Sequence, residues 1–345
     1  MPTPPAFAQV VRTLDEWERD RDCSGSFLVT RGGEPAFEHS CGYADRAAGL
    51  RNRAGTRFGL ASLTKMFTAV TVARLVGAGR LAFETPVTDL LPEGRRPSTL
   101  RPDVTVHHLL CHSSGIADYF EEEQDPEPEY ADLWRTRPCY TIERPADFLP
   151  LFGELPPYRP PGEMFQYSNA GYIVLGLVVE QVTGASYAEA VQAEVFEPAG
   201  MGASGFFRLD EPVPDMAQGY LPRDAPDAPW RTNIYSVPVV GGADGGAFST
   251  TADVDRFLRA YTDGSLLGDL TSTVLAPHVD AGDGFSEGYG VHLYPDGRWG
   301  HGGGDPGVAV IANHWPDDDL NVIVLCNTEG PVGDIRDLLR AAAQD

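Results

Sequence analysis

Ser62 and Lys65 stand three residues apart in FGLASLTKMFTAV (58–70), and Lys65 is the sole lysine among 26 basic residues, the other 25 being arginine. Side chains at i and i+3 of a helix share one face and can meet. Arginine keeps its proton under any condition a protein meets, whereas a desolvated lysine can release its own and act as a base. A chain that uses arginine everywhere else thus marks position 65 as one where the exchange fails. A hydroxyl, an amine that can be deprotonated and the free N–H groups of a helix start together make an activated nucleophile. Two other stretches carry groups suited to the same chemistry. FQYSNAGY places Tyr167, Ser168 and Asn169 directly before an apolar run, where a phenol and an amide can trade protons with a hydroxyl and hold a carbonyl. WGHGGGDPG places His301 ahead of Gly302, Gly303 and Gly304, and a strand edge stripped of side chains lets a ligand come close to the backbone.

The elements that must hold these groups are legible at low resolution. Residues 62–76 are predicted to form a helix closed by the glycines of GAG, and SNAGYIVLGLVVEQVTG, apolar nearly all round, a buried helix ending at Gly184. Ser186 and Glu189 have the spacing of a capping box for the helix that follows. An amphipathic helix, VVRTLDEWERD, opens the chain, and VGDIRDLLRAAA closes it. Three hairpins are predicted, around Arg31-Gly32-Gly33, around Pro295-Asp296-Gly297 and around Pro316–Asp319. Strands at both chain ends bracketing a helical middle predict an α/β (α+β) fold. One antiparallel sheet is built from both ends and flanked by helices, with residues 1–79 and 226–345 forming a discontinuous sheet domain. Residues 80–225 form an inserted, mainly helical domain, whose acidic run 121–129 is read as a solvated loop.

Composition narrows the function. A formal charge of −24 argues against nucleic acid or an anionic membrane as partner. No stretch approaches 18 uninterrupted apolar residues, and the first twenty residues lack a basic segment followed by an apolar one, so neither a membrane span nor a signal peptide is expected. Cys23, Cys41, Cys111, Cys139 and Cys326 are odd in number, widely spaced and without C-x-x-C, which reads as reduced thiols in a cytoplasmic protein. His107, His108, Cys111 and His112 have helical spacings that zinc can use, but the glutamate of H-E-x-x-H is missing, and no metal is expected. Gly302, Gly304 and Gly307 match G-x-G-x-x-G but precede a strand, so no dinucleotide loop is expected.

The order S-x-x-K, then Y-S-N about a hundred residues later, then H-G-G on a late strand resembles the serine β-lactamase and penicillin-binding-protein superfamily. The tyrosine-containing second motif is similar to that of class C β-lactamases and their esterase and D-peptidase relatives. LLCHSSGI (109–116), PGEMFQYSNAGYIVLGLVVE (161–180) and GGAFSTTADVDRFL (245–258) extend the likeness from about residue 20 to the C-terminus. The resemblance implies Ser62 as nucleophile, Lys65 as its proton acceptor, Tyr167 as proton shuttle and Asn169 as the group orienting Lys65 and the acyl chain. It implies an oxyanion hole from the N–H groups of Ser62 and Gly304, with Gly303 and His301 on the substrate side. Either Lys65 or Tyr167 can be the general base on this reading. His301 replaces the lysine of K-T-G, and with a pKa near 6.5 it is a poorer permanent cation for a substrate carboxylate. The implied activity is a cofactor-independent serine hydrolase forming an acyl-enzyme on small-molecule esters or amides. The alternatives are a D-amino-acid-specific peptidase or amidase, a weak β-lactamase, and an inactive scaffold; the oligomeric state stays open. Tyr119, Phe120, Trp134 and Tyr158 are expected to wall or cover the pocket.

Overall fold

The computed structural model describes residues 4–122, 130–225, 227–282 and 284–344; most of the acidic run, 123–129, lies outside them. After helix α1 (Ala8–Asp20) the chain forms strands β1 (Gly25–Arg31) and β2 (Glu34–Cys41), turning through Gly32 and Gly33. Both glycines have positive φ, as the tight primed hairpin turn requires. The chain then runs through helix α2 (Thr64–Gly77), the short helix α3 (Val106–Leu110), helix α4 (Asn169–Thr183) and helix α5 (Thr251–Thr262). It returns to the sheet with β3 (Val279–Asp280), β4 (Ser286–Glu287), β5 (His292–Leu293), β6 (Trp299–Asp305), β7 (Val308–Trp315) and β8 (Leu320–Cys326), and ends in helix α6 (Val332–Ala342).

Among the described residues these strands make one sheet in the order β2-β1-β8-β7-β6-β5-β4-β3, with every neighbouring pair antiparallel. The N-terminal hairpin is completed by β8, Gly25 pairing with Cys326 and Arg31 with Leu320, so both chain ends contribute to one sheet. Strand β8 is buried along its whole length because both sheet faces are covered. Phe27, Val29, Val322 and Val324 pack against α1 and α6 on one side. Leu28, Ile323 and Leu325 join the larger cluster that includes α2, α4 and α5 on the other. That alternation is the period of two expected of a strand.

Helices α2 and α4 are both buried on nearly every face, which explains why neither sequence shows a polar stripe. Gly184 ends α4 in the left-handed conformation, and Ser186 with Glu189 forms the reciprocal cap of the following short helix. One expectation needs correcting at its boundary. The helix carrying Lys65 begins at Thr64, and Ser62 lies in a 3₁₀ turn, Ala61–Leu63, just ahead of it.

Candidate active site

The turn bearing Ser62 is fixed by a loop that arrives from far along the chain. Leu60 N–H donates to Ala247 O (2.8 Å), Gly246 N–H to Ala61 O (3.3 Å), and Ala247 N–H to Thr64 Oγ1 (3.1 Å). Ala61 itself sits at φ 44°, a left-handed conformation that costs a residue with a Cβ about 1–2 kcal/mol. The flanking bonds hold this strained residue immediately before Ser62. Lys65, in the first turn of α2, has no solvent exposure. Its Nζ lies 2.9 Å from Ser62 Oγ, 2.7 Å from Asn169 Oδ1 and 2.6 Å from the carbonyl oxygen of Asp244. Burial pushes the amine below its ordinary pKa, against the opposing pull of Asp244, Glu122, Asp118 and Asp305.

Tyr167 and Asn169 are positioned by the entrance to α4. Ser168 caps the helix, its Oγ accepting from Gly171 N–H (3.0 Å). Asp118, buried, accepts from the N–H groups of Tyr119 (2.6 Å) and Ala170 (3.2 Å), which ties its loop to the helix start. Even so, burial lifts its carboxyl to about 7. The ring of Tyr167 stacks on His112 at 4.4 Å and lies over Lys65 Nζ at 4.8 Å. Burial raises the phenol well above its ordinary value; the neighbouring Glu122 adds to this, and a hydrogen bond with Ser62 works the other way.

Strand β6 forms the opposite wall. A Cβ on Gly303 would lie 2.4 Å from Leu60 O and 2.9 Å from Ser62 N, whereas one on Gly304 would meet nothing within 4 Å. Glycine at 303 therefore lets the strand lie directly against the Ser62 turn, and the backbone at 304 opens to the cleft. His301 Nδ1 lies 2.5 Å from Gly302 O; the carbonyl can only accept, so Nδ1 carries the hydrogen and Nε2 is a bare acceptor. Burial, with His292 and Lys65 nearby, pushes the imidazole well below 6.5. The residue in the place of the K-T-G lysine is thus uncharged.

The S-x-x-K, Y-S-N and H-G-G residues, distant in sequence, converge on one cleft. The Beta-lactamase family model matches residues 7–345. The chain belongs to the beta-lactamase family. Penicillin-binding protein 4* of Bacillus subtilis is 30% identical over 92% of this chain and 71% of its own length. Esterase EstB of Burkholderia gladioli is 37% identical over 58% of this chain and 51% of its own. A penicillin-binding protein from Bacillus halodurans, known from a crystal structure, superposes with a TM-score of 0.88 at 41% identity, covering 95% of this chain and 99% of that one. Beta-lactamase-fold proteins of this kind are serine hydrolases that include esterases, amidases and peptidases, and the fold seen here is theirs.

In this beta-lactamase-family chain the cleft has a volume of about 1830 Å³ and is lined by Ser62, Tyr167, Asn169 and the 301–305 strand. That exceeds the roughly 300–1,000 Å³ of a drug-sized pocket, leaving room for both an acyl and a leaving group. Tyr119 and Phe120 line it as expected, together with Tyr130. Trp134 instead packs behind Tyr130 and donates to Ser236 O (2.9 Å), and Tyr158 stands outside the cleft, 43% exposed. Among the described residues no His, Cys, Asp or Glu cluster is arranged to hold a metal. The former zinc candidates turn to separate partners: His107 to Tyr289 (2.8 Å), His108 to Thr105 (2.9 Å), Cys111 to His107 O (3.1 Å) and His112 to Ser168 N–H (2.9 Å).

Asp244 lines the site and His112 stacks on its Tyr167, although spacing did not single out Asp244 and pointed His112 to a metal rather than to Ser168. GGADGG (241–246), one carboxylate among four glycines, was the available signal for Asp244. His112 accepts from Ser168 on Nδ1, so its Nε2 bears the hydrogen and faces Glu287 Oε1 at 4.0 Å; His292 Nε2 approaches the other oxygen at 3.5 Å. Burial raises Glu287 well above the usual carboxylate range and lowers both imidazoles, His292 to about 4. The cluster beneath Tyr167 is therefore uncharged. The native state leaves His292 unprotonated between about pH 4 and 6.5 while the unfolded chain protonates it, so its contribution is lost as pH falls through that window. Urea unfolding of His292→Gln at pH 7.5 and 4.5 should show a loss between the two pH values about 2–3 kcal/mol smaller than in the parent. Equal losses in both proteins would show that His292 does not stay neutral.

Proposed function

We propose that this chain is a cofactor-independent serine hydrolase that forms an acyl-enzyme on esters or small amides. The observation that carries the reading is a wholly buried lysine amine 2.9 Å from Ser62 Oγ. Ser62 Oγ attacks the substrate carbonyl carbon as its proton passes to Lys65 Nζ. The oxyanion is held by the N–H groups of Ser62 and Gly304, a hole of the kind whose single donors are each worth about 2.7–4 kcal/mol of barrier. As the tetrahedral species collapses, the departing oxygen or nitrogen takes a proton from the Tyr167 hydroxyl, which is resupplied from Lys65. Water then attacks the acyl carbon, gives a proton to the same pair, and Ser62 leaves with one.

Lys65 is the base and Tyr167 the shuttle on this reading, because burial favours the uncharged form of each. For the amine that means a free lone pair, and for the phenol a retained proton. Asn169 Oδ1 and Asp244 O then orient the amine toward Ser62. Esterase EstB among the relatives supports ester chemistry.

Intact-mass measurement after brief exposure to a panel of phenyl esters and a fluorophosphonate tests the reading. One adduct per chain, mapped to Ser62 and absent from Ser62→Ala, is expected. No adduct with any reagent would instead favour an inactive scaffold.

A further inference from the structure

Strand β6 gives the cleft a direction. His301 stands at one end beside Tyr167, their ring centroids 6.4 Å apart, and Gly303 abuts the Ser62 turn. Asp305 ends the strand and pairs with Val308 across the β6–β7 hairpin. A leaving group that takes its proton from Tyr167 departs at the His301 end. The acyl group, joined to Ser62 with its oxygen on Gly304 N–H, extends the other way, toward Asp305 and Val308.

An apolar shelf occupies that end. Residues 58–59 pair with 248–249, Phe248 bridges to Gly205, and Arg57 bridges to Met216. The 205–216 loop is thereby fastened to the segment that leads into Ser62. Phe207, Met216, Phe248 and Val308 all line the cleft. Phe207 and Met216 are half-buried, and the Phe207 and Phe248 rings lie 6.2 Å apart. The Arg57 guanidinium behind Phe207 donates to the carbonyl oxygens of Ala203 and Pro214. Gly59 makes the floor. A Cβ there would rest 3.5 Å from Val308 Cγ2 and 3.7 Å from the Phe248 ring, which are ordinary contacts, and its φ is not left-handed. Neither backbone nor packing demands glycine at 59; what the missing side chain provides is open volume above the shelf, as where a ligand approaches a strand closely. Apolar surface of this kind in a groove is the mark of an apolar ligand.

The length of that ligand follows from strand geometry. Residues advance about 3.3 Å along a strand and neighbouring strands stand about 4.8 Å apart, which puts Val308 about 6 Å beyond Gly304. A staggered hydrocarbon with C–C bonds near 1.5 Å advances about 1.25 Å per carbon, so it reaches Val308 at about its fifth carbon. The further 6.2 Å from Phe248 to Phe207 takes it to about its tenth. We propose that the cleft takes an unbranched apolar acyl chain of about six to ten carbons, laid over Gly59 against Phe207, Met216, Phe248 and Val308. The proposal rests on the acyl-enzyme reading, adds the character of the acyl group to it, and leaves the bond changes as they are.

Phenyl acetate, butyrate, hexanoate and octanoate, each kept below the concentration at which it aggregates, test this with one leaving group throughout. Burying one CH₂ is worth about fourfold, so octanoate is expected to exceed butyrate in kcat/KM by at least about tenfold, with hexanoate between them. Octyl acetate, which carries the chain on the leaving group, should show no such gain over ethyl acetate. In Gly59→Val, whose side chain fills the floor, the octanoate-to-butyrate ratio should fall toward one. Val308→Thr, similar in volume but polar, should lower the same ratio several-fold. A series in the parent that is flat or falls with length would overturn the proposal and leave the acyl-enzyme reading intact, as would a gain confined to octyl acetate. Variants that slow every ester alike and keep the parent's ratio would give the shelf a structural role only, which also overturns it. Turnover of none of the esters would remove both.

Discussion

Lys65→Arg is expected to slow acylation of Ser62 by at least about a thousandfold, within the range by which a positioned acid–base group accelerates proton transfer. The substitution keeps a positive charge and loses the ability to give it up, since guanidinium stays protonated in proteins. If Lys65 served only to stabilise developing negative charge, arginine would retain much of the rate. The site is closed on all sides, with Asn169, Asp244 and the Tyr167 and Tyr172 rings around the amine, so the bulkier group also strains its surroundings. Lys65→Met removes charge and base with little added volume and separates the two effects. Both variants should be equally inactive, with far-UV circular dichroism confirming the fold. Single-turnover release of phenol from a phenyl ester reads the rate directly, and activity in Lys65→Arg within tenfold of the parent would contradict the assigned role.

Gly303→Ala should lower kcat by about a hundredfold to a thousandfold, the usual consequence of losing one oxyanion donor. The added methyl would lie 2.4 Å from Leu60 O and 2.9 Å from Ser62 N, and both are backbone atoms that no rotamer change can move. Either β6 retreats from the Ser62 turn or that turn, already strained at Ala61, gives way. In both cases the donors of Ser62 and Gly304 stop pointing at one place. At Gly304 the same methyl meets nothing within 4 Å, so Gly304→Ala should cost distinctly less. Steady-state kinetics on one ester, with thermal unfolding to confirm a folded chain, distinguishes the two. Equal losses at 303 and 304 would mean that glycine serves substrate access there and not strand approach.

These effects arise from contacts of two kinds, and they differ in how far the chain reveals them. Ser62 with Lys65, Tyr167 with Asn169, and His301 with its glycines are each local in sequence, so residue type and spacing expose them. The all-apolar run of α4 and the turn residues of the three hairpins are local in the same sense, which is why the sheet assembled from both ends was legible. The grip of residues 241–247 on the Ser62 turn spans about 180 residues and uses mostly backbone atoms, which leave no trace in side-chain pattern. His112 has a spacing that a metal could use, but helical spacing says nothing of which partner a ring finds. Its left-handed backbone (φ 55°) turns the ring toward Ser168 and Tyr167. Trp134 and Tyr158 were expected at the cleft because aromatic content marks a wall without saying which side a loop turns. The 3₁₀ start at Ser62 depends on the same distant loop.

The most direct test of a neutral Lys65 drawing the proton from Ser62 is the pH dependence of acylation, followed by single-turnover kinetics with a neutral ester. The rate should rise along one ionisation with its midpoint below the ordinary lysine value of about 10.4, then level off, and that ionisation should vanish in Lys65→Met. A rate that stays flat across the range, or climbs only at or above that value, would contradict it.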